Sequence, residues 1–281
     1  MNDKSRVFYK GGSWTATLYN RMITAASRKG YVSMRLKDKI VIVTGAASGF
    51  GEAIARLFAE QGASIIVADI SDKKGEEVAG SLPLAKFVHC DVTRIDDVQA
   101  LVAAAEDAFG GLDILVNNAG TTHQRKSLLE VSEDEFDKVY ATNVKSIYLG
   151  AIHGVPALQR RGGGVILNIA STAGLRPRPG LTWYNGTKGA VITLTKSMAI
   201  ELAPDKIRVC AINPVIGETA LLTSFMGGPD TPQLREEFIA GIPLGRMSRP
   251  DDIARAALFL CSEDAEFITG VCMEVDGGRC I

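Results

Sequence analysis

The stretch Val43-Thr44-Gly45-Ala46-Ala47-Ser48-Gly49-Phe50-Gly51 follows an apolar run, Ile40–Thr44, and opens an amphipathic segment that begins near Gly51. The β-branched run predicts a buried strand, and the segment after it predicts a helix. Three glycines at the junction allow a tight turn and a close approach of the backbone to a pyrophosphate, whose charge the helix N-terminus favours. The spacing is GxxxGxG rather than GxGxxG, but the strand–turn–helix context favours a dinucleotide site over an ordinary turn.

The same alternation of short apolar runs and longer amphipathic segments continues along the chain. The runs that predict strands are Ile40–Thr44, Ser64–Asp69, Lys86–Cys90, Ile114–Asn117, Val165–Ala170, Arg208–Ile212 and Val271–Val275. The segments that predict helices are Gly51–Gln61, Asp72–Ser81, Ile95–Phe109, Ser132–Arg160, Trp183–Ala203 and Pro250–Ser262. Such alternation predicts an α/β fold: a single doubly wound Rossmann-type domain whose seven-stranded parallel sheet has helices on both faces.

The chain divides into a short basic start and one long domain. Residues 1–33 hold six Lys and Arg but a single acidic residue, Asp3, and we interpret them as an N-terminal extension of unknown role. An organelle-targeting peptide and a start codon assigned too early are alternatives for this segment. Residues 34–281 contain no linker-like stretch, and Pro214–Asp230, rich in Gly, Pro and Thr, predicts a long functional loop.

The composition excludes several classes of function. The 281 residues are 46% hydrophobic and 22% charged, with a net charge of −1, so no basic field favours nucleic acid or an acidic membrane surface. No apolar run is long enough to span a bilayer. Five scattered cysteines and three histidines form no metal motif, and we expect a reduced, cytoplasmic protein without a metal site.

Asp69 ends the second predicted strand, 18 residues beyond Gly51. A carboxylate at this place accepts hydrogen bonds from the ribose hydroxyls of an adenosine and repels a 2′-phosphate. No arginine follows directly, although Lys73 and Lys74 lie slightly further on, and Ser48 rather than a basic residue occupies the turn. The pattern therefore favours NAD over NADP, with helix capping as the alternative role of Asp69.

Tyr184 and Lys188 lie four residues apart near the start of a predicted helix, on one of its faces. A tyrosine with the reference pKa of about 10 is a poor acid or base at neutral pH, and a neighbouring ammonium group lowers that pKa. Ser171 follows the strand Val165–Ala170, where its hydroxyl faces the ligand crevice. A tyrosine and a lysine at this spacing also occur often by chance on solvent-exposed helix faces, so the pair alone is weak evidence of catalysis.

A larger set of motifs occurs together in one order: Thr44–Gly51, Asn117-Asn118-Ala119-Gly120, Asn143, Ser171, Tyr184 with Lys188, and Asn213-Pro214. This set resembles the defining motifs of the classical short-chain dehydrogenase/reductase family. The resemblance extends from about Leu36 to the C-terminus. It implies hydride transfer between a nicotinamide cofactor and the carbon of an alcohol or carbonyl substrate.

The resemblance also implies roles for individual residues. Tyr184 would exchange the proton with the substrate oxygen, Ser171 would hydrogen-bond that oxygen, Lys188 would lower the tyrosine pKa and hold the nicotinamide ribose, and Asn143 would anchor a proton relay to Lys188. The cofactor-binding residues it implies are Gly45, Ser48, Gly49, Phe50, Gly51, Asp69, Asp91, Val92, Asn117, Ala119, Gly120, Tyr184, Lys188, Pro214 and Thr219.

One segment departs from the family pattern. After Asn213-Pro214 the family usually has a glycine and, two positions later, a valine or isoleucine that meets the carboxamide of the cofactor. This chain instead reads Val215-Ile216-Gly217. The departure puts the backbone path at Gly217 in doubt, although not the binding of the cofactor.

The substrate is less well determined than the chemistry. Local strings such as Asn117–His123 and Gly180–Tyr184 resemble a subgroup with NAD-linked dehydrogenases of aromatic degradation. This resemblance implies a small aromatic or cyclic alcohol or aldehyde, with or without an acidic group. The candidate substrate residues are His123, Thr172, Arg176, Trp183, Phe225 and Met226. Arg176 and His123 would pair with an anionic group, or else be solvated loop residues.

Three alternatives remain at this point: an NADPH-dependent 3-oxoacyl-thioester reductase, a sugar or polyol dehydrogenase, and a non-catalytic nucleotide-binding protein. Asp69 disfavours the first, and the complete set of Asn143, Ser171, Tyr184 and Lys188 disfavours the last. The resemblance also implies a homotetramer or homodimer, assembled through the long helices and the C-terminal strand.

Overall fold

Seven parallel strands form one sheet in the computed structural model, which describes residues 34–281. The strands are β1 (Ile40–Thr44), β2 (Ser64–Asp69), β3 (Ala85–His89), β4 (Ile114–Asn117), β5 (Gly164–Ile169), β6 (Ile207–Pro214) and β7 (Cys272–Val275). Their order is β3-β2-β1-β4-β5-β6-β7, so β1 lies between β2 and β4. The winding reverses between β1 and β4, and a crevice opens at the carboxyl ends of these two strands.

Helices cover both faces of this sheet. They are α1 (Gly49–Glu60), α2 (Asp72–Gly80), α3 (Ile95–Phe109), α4 (Glu133–Tyr140), α5 (Ser146–Arg160), α6 (Thr182–Leu202), α7 (Leu222–Met226), α8 (Pro232–Ile239) and α9 (Pro250–Cys261). Helices α1 and α9 pack with one face, and α3 and α5 pack with the other. The predicted doubly wound α/β fold is confirmed.

Strand β1 shows why its first four positions, Ile40 to Val43, are all apolar. Val41 and Val43 pack into the core beneath α1 and α9, whereas Ile40 and Ile42 pack into the core beneath α3 and α5. Because successive side chains point to opposite faces, a strand that is covered on both faces needs apolar residues throughout. All of β1 is accordingly at most 5% exposed.

The helical segment predicted over Ser132–Arg160 is confirmed, and a π-helical turn lies inside it. Helix α4 begins after Ser132, whose hydroxyl accepts from the Glu135 amide at 3.3 Å. A π-helical turn, Ala141–Lys145, then separates α4 from α5. A π turn accommodates one extra residue within a single turn, and this local change of spacing was not recognised in the sequence.

Other boundaries differ by a few residues. Strand β3 covers Ala85–His89 rather than Lys86–Cys90, and β6 extends to Pro214 instead of ending at Ile212. The predicted loop Pro214–Asp230 contains α7, and α8 follows it; neither helix was predicted. Both were missed because α7 has only five residues and α8 buries none fully. Expectations for residues 1–33 lie outside the described residues.

Within residues 34–281 no helix is long and apolar enough to cross a membrane. The same part of the chain has no group of three His, Cys, Asp or Glu side chains arranged to hold a metal ion.

Candidate active site

A cavity of about 720 Å³ lies at the carboxyl ends of the central strands. It extends from the glycine turn after β1, past the ends of β2 and β4, to Ser171 after β5 and the segment after β6. Most of the predicted cofactor residues line it: Gly45, Ser48, Gly49, Phe50, Asp69, Asp91, Val92, Ala119, Gly120, Tyr184, Lys188, Pro214 and Thr219. The crevice predicted from the strand order is therefore where these residues converge.

The glycine turn has a backbone that other residues adopt only under strain. Gly45 and Gly49 have φ values of +63° and +59°. A Cβ atom on Gly45 would lie 2.9 Å from the Cα atom of Ala119, too close for any side chain. The turn thus approaches the end of β4 closely, and it lies directly before the N-terminus of α1.

Two predicted cofactor residues, Gly51 and Asn117, do not line the cavity. A Cβ atom on Gly51 would lie 2.2 Å from the carbonyl oxygen of Gly45, so this glycine allows α1 to start directly beneath the turn. Asn117 is buried, and its side-chain amide donates to the Oδ1 atom of Asn168 at 2.9 Å. Gly51 and Asn117 therefore hold segments that line the cavity, although they do not line it themselves.

Thr44 and Asn118 connect the glycine turn to β4. The Thr44 hydroxyl oxygen accepts hydrogen bonds from the amides of Asn118 and Ala119 at 3.0 and 3.1 Å. The side-chain amide of Asn118 donates back to the carbonyls of Thr44 and Gly45, at 2.8 and 3.1 Å. This network holds the two strand ends on either side of the switch point together. Asn118, quoted above only as part of a motif, also lines the cavity.

Asp69 lies at one end of the cavity. One of its carboxylate oxygens accepts from the amide of Ala47 at 3.0 Å, and the other accepts from the amide of Ser71 at 3.0 Å. Each oxygen keeps a second lone pair for a further donor. The carboxylate is therefore held by the backbone and can still accept a pair of hydroxyl groups from a ligand.

The candidate catalytic residues meet at the other end of the cavity. Ser171 follows β5, and its hydroxyl oxygen accepts from the amide of Ala173 at 3.0 Å. Tyr184 and Lys188 lie one turn apart in α6, and both side chains are buried. The Lys188 ammonium donates to the carbonyl of Ile169 at 2.8 Å and lies 5.8 Å from the centre of the Tyr184 ring.

Burial shifts both of these side chains toward their neutral forms. It raises the pKa of Tyr184 to about 12, although a hydrogen bond with Ser171 and the charge of Arg178 act in the opposite direction. Burial also lowers the pKa of Lys188 to about 8. Arg178 is thus a cation that favours the phenolate in this structure, and the role of Lys188 in lowering the tyrosine pKa stays a prediction.

Asn143 lies in the π-helical turn and supports the site without lining the cavity. Its Oδ1 atom accepts from the amide of Thr121 at 2.9 Å. Its Nδ2 atom donates to the Thr121 carbonyl at 2.9 Å and to the Thr187 hydroxyl at 3.0 Å. The amide therefore ties the segment after β4 to α6, the helix that carries Tyr184 and Lys188.

Of the six candidate substrate residues, Thr172 and Phe225 line the cavity and four do not. The guanidinium group of Arg176 is exposed and donates to the carbonyl of Arg279 at 2.6 Å. The indole of Trp183 packs edge-on against Phe136, 5.3 Å between ring centres. The remaining two, His123 and Met226, are buried away from the cavity.

The sequence missed several residues that do line the cavity: Asp137, Lys138, Ala141, Thr142, Arg178 and Leu181. Four of them belong to α4 and the π-helical turn, which reach the cavity only through the tertiary fold. Arg178 lies six residues before Tyr184, and no motif distinguishes it from Arg176.

The departure at Gly217 has a steric explanation. A Cβ atom on Gly217 would lie 2.5 Å from the Cζ atom of Phe50 and 2.8 Å from the Oγ atom of Ser248. The Phe50 ring, which belongs to the glycine turn, occupies the space that a branched side chain at position 217 would need. Gly217 and Phe50 both line the cavity, so its shape there depends on the pair.

Comparison with known proteins agrees with this geometry. A family model described as enoyl-(acyl carrier protein) reductase matches residues 45–279. The 4-formylbenzenesulfonate dehydrogenase of Comamonas testosteroni is 51% identical over 250 residues, covering 88% of this chain and 99% of that protein. A 3-oxoacyl-(acyl-carrier-protein) reductase of Thermotoga maritima is 36% identical over 252 residues, covering 88% of this chain and 100% of that protein.

A solved structure is also similar. The crystal structure of 3-ketoacyl-(acyl-carrier-protein) reductase from Brucella melitensis, complexed with NADH, superimposes with a TM-score of 0.83. It is 47% identical in sequence and covers 88% of this chain and 100% of its own.

Proposed function

Since the chain belongs to the short-chain dehydrogenase/reductase family, whose members bind NAD(P)(H) and act on CH–OH or carbonyl groups, we propose that it uses NAD(H) on a small aromatic or cyclic alcohol and its carbonyl compound. The observation that carries the proposal is one cavity with Asp69 at one end and Ser171, Tyr184 and Lys188 at the other. The catalytic groups and the nucleotide-selecting carboxylate therefore share a single space.

The preference for NAD over NADP rests on Asp69. Its carboxylate is fixed by two backbone amides and can accept the 2′- and 3′-hydroxyls of a ribose. A 2′-phosphate would meet this negative charge at close range and be repelled. The glycine turn fits the pyrophosphate, because Gly45 and Gly49 bring the backbone near the N-terminus of α1.

In the proposed mechanism Tyr184 handles the proton. When bound, the nicotinamide supplies or accepts the hydride. During carbonyl reduction the Oη atom of Tyr184 donates its proton to the substrate oxygen, and during alcohol oxidation the phenolate accepts it. Ser171 stabilises charge on the substrate oxygen and on the phenolate.

Lys188 and Asn143 position these groups. Lys188 is held by the carbonyl of Ile169 and carries a charge that burial makes easy to lose, which suits a group that passes protons toward the tyrosine. Asn143 holds Thr121 and Thr187 and so keeps α6 in register with the strand ends. Its removal would misplace Tyr184 without touching the substrate.

The proposed substrate class rests on the apolar wall of the cavity near Tyr184, which Phe225 and Leu181 form. Phe225 packs edge-on against the tyrosine ring at 5.1 Å between centres, and Leu181 lies beside both. This wall accommodates an aromatic or alicyclic ring better than a polyol, whose hydroxyl groups would lack partners there. The name of the 4-formylbenzenesulfonate dehydrogenase points to an aromatic aldehyde for that relative and supports the same class here.

The free thiols and the family suggest the setting of the protein. All five cysteines are free, which suits a reducing cytoplasm. We infer a cytoplasmic homotetramer or homodimer.

The test is steady-state turnover of benzylic alcohols, polyols and 3-oxoacyl thioesters with NAD(H) and with NADP(H). We expect benzylic oxidation with NAD to have the highest kcat/KM. Tyr184→Phe should lower kcat by about 10²- to 10⁴-fold while the Kd for NADH, measured by fluorescence, changes little. Full turnover in this variant would contradict the role of Tyr184.

Asp69→Ser tests the cofactor preference separately. The ratio of kcat/KM for NAD over NADP should fall by about 10- to 100-fold, since a neutral side chain no longer repels the 2′-phosphate. Asp72→Ser is the matched control, because Asp72 pairs with His89 on the surface and does not line the cavity. Preference of the unaltered enzyme for NADPH and thioesters would instead identify a biosynthetic reductase.

A further inference from the structure

Arg178 connects the catalytic cavity to a second, smaller one. It lines the main cavity together with Tyr184. It also lines an adjoining cavity of about 220 Å³, to which Arg125 and Arg279 contribute. Leu181 and Phe225 border both spaces, so the arginines lie just beyond the apolar wall beside Tyr184.

These three arginines have no acidic partner within residues 34–281. No carboxylate of the described chain lies within 4.0 Å of their guanidinium groups, although seven other arginines form such pairs. Glu237 lines the smaller cavity without pairing with any of the three. The guanidinium of Arg178 instead stacks on the Phe238 ring, 4.8 Å from its centre.

The charged form of Arg178 is destabilised when no ligand is bound. Burial, together with the charges of Arg279 and Arg125, lowers the pKa of Arg178 to about 10. A desolvated guanidinium among like charges is costly unless an acceptor compensates it. Tyr184 and Cys280 act in the opposite direction only by weak charge effects, so the described chain itself supplies no compensating anion.

We propose that Arg178, with Arg125 and Arg279, binds an anionic group of the substrate, a carboxylate or sulfonate, at the far end of a ring whose near end carries the reacting carbon at Tyr184. The inference rests on the proposed function, since it assigns the orientation of the substrate in the same site. A guanidinium presents two parallel donors that match the paired oxygens of such a group.

The wall between the two ends fits the body of such a substrate. Leu181 is 1% exposed, and Phe225 packs against Tyr184 and lines both cavities, as Arg178 does. An aromatic ring can lie along this wall while its polar substituents reach donors at both ends. An uncharged aromatic substrate would pack along the same wall, but it would offer the guanidinium of Arg178 no anionic acceptor.

Arg176, which the sequence favoured for this role, serves a different purpose. Its guanidinium donates to the carbonyl of Arg279 and is exposed. It therefore holds the backbone of one arginine of the cluster and does not reach the cavity. Because Arg176 supports Arg279, the matched control for Arg178 is Arg160, which is exposed, pairs with Glu106 and lines neither cavity.

The experiment compares 4-formylbenzenesulfonate and 4-formylbenzoate with uncharged benzaldehyde, with NADH in the assay. In the unaltered enzyme kcat/KM should be higher for both anions. In Arg178→Gln the ratio of kcat/KM for anion over benzaldehyde should fall by about 10- to 100-fold. The ratio removes any effect of Arg178 on the pKa of Tyr184, which acts on all three aldehydes. Arg178→Lys should recover part of the loss, and Arg160→Gln should leave the ratio within about twofold.

A second measurement does not depend on turnover. Benzenesulfonate should bind the unaltered protein in calorimetry and raise its thermal midpoint, and should do neither with Arg178→Gln. If no aldehyde is turned over but benzenesulfonate binds through Arg178, the proposed function fails and the anion site stands. If benzaldehyde is turned over as well as the anions, or Arg178→Gln keeps both the ratio and the binding, the anion site is refuted and the proposed function stands.

Discussion

Single residues at the catalytic end of the cavity have protonation states that their burial controls. Tyr184 is 6% exposed and Lys188 is 5% exposed, and desolvation is the largest influence on the pKa of each. Burial favours the neutral phenol and the neutral amine. Hydrogen bonding with Ser171 and the charge of Arg178 are the described influences that favour the phenolate.

Ser171→Ala should therefore move the pH dependence of alcohol oxidation. Oxidation needs the phenolate, so kcat/KM should rise with pH in the unaltered enzyme. In Ser171→Ala this rise in the pH profile should shift to higher pH by about one unit, because the serine hydroxyl no longer stabilises the phenolate. We also expect kcat to fall by about 10²-fold. The measurement is kcat/KM from pH 6 to 11.

Ser171→Thr is the control, because it retains a hydroxyl at the same place. It should keep the rise in the pH profile near that of the unaltered enzyme. An unshifted rise in Ser171→Ala would show that this hydroxyl does not tune Tyr184.

Lys188→Met should stabilise the cofactor-free protein while it abolishes turnover. The pKa of Lys188 is about 8 in the fold, below its ordinary value of 10.5, so the folded state binds fewer protons between these values. Below pH 8 the amine is charged in the folded state, and its burial destabilises the fold to the full extent. Its removal should therefore raise the free energy of unfolding by about 1–3 kcal/mol at pH 7. The gain should shrink as the pH rises from 8 to 10.5.

Urea unfolding at pH 7 and pH 10 measures this gain. Lys196→Met, on the exposed side of the same helix, should change the stability at neither pH by more than about 0.5 kcal/mol. A Lys188→Met variant that is less stable at pH 7 would contradict the assigned cost of burial.

At the scale of elements, the segment after β6 packs against the turn before α1 where Gly217 lies next to the Phe50 ring. The two segments are far apart in sequence, yet a Cβ atom on Gly217 would overlap the phenyl ring. The departure from the family pattern at Gly217 therefore accompanies the aromatic residue in the glycine turn. Neither residue can be interpreted without the other.

Gly217→Val should cost about 1–3 kcal/mol in the free energy of unfolding and weaken NADH binding, because the added side chain displaces Phe50. Phe50→Ala in the same protein should recover part of that cost, so the two changes should be coupled in a double-mutant cycle. The measurements are urea unfolding and NADH fluorescence.

Gly228→Val is the matched control, since the nearest atom to its Cβ would be 3.8 Å away. Additive effects of Gly217→Val and Phe50→Ala would show that the two positions do not compete for space.

At the scale of the whole molecule, α5 presents apolar side chains that the described chain leaves uncovered. Tyr148 is 58% exposed and Ile152 is 49% exposed, and their spacing places them on one face of the helix. The sequence indicated this region as an assembly surface. A second copy of the chain, related by two-fold symmetry, would bury both residues.

Replacing Tyr148 and Ile152 together by glutamate should therefore reduce the mass of the particle, measured by size-exclusion chromatography with light scattering. Leu84→Glu is the control, because Leu84 is 57% exposed but precedes β3 at the edge of the sheet. An unchanged mass in the double variant would place the interface elsewhere, and a monomeric unaltered protein would refute assembly.

Much of the fold was predictable because local patterns carry it. The β-branched runs and the glycine turn after β1 indicated a doubly wound sheet, and strand ends were placed within a few residues. The same local logic identified Ser171, Tyr184 and Asp69 as residues of one crevice, since they follow or face the carboxyl ends of strands. The π-helical turn was not predicted, because the extra residue changes the helical spacing within one turn only.

The sequence by itself determined the sheet, the family and the residues that meet at the switch point, because strand periodicity and motif spacing are local properties. Only the tertiary structure decided which side chains beyond the motifs reach the cavity. It placed Arg178 there and turned Arg176 toward Arg279, although both are basic residues of one short loop. It also decided the protonation preferences of Tyr184 and Lys188, since desolvation depends on everything packed around a group and not on its neighbours in sequence.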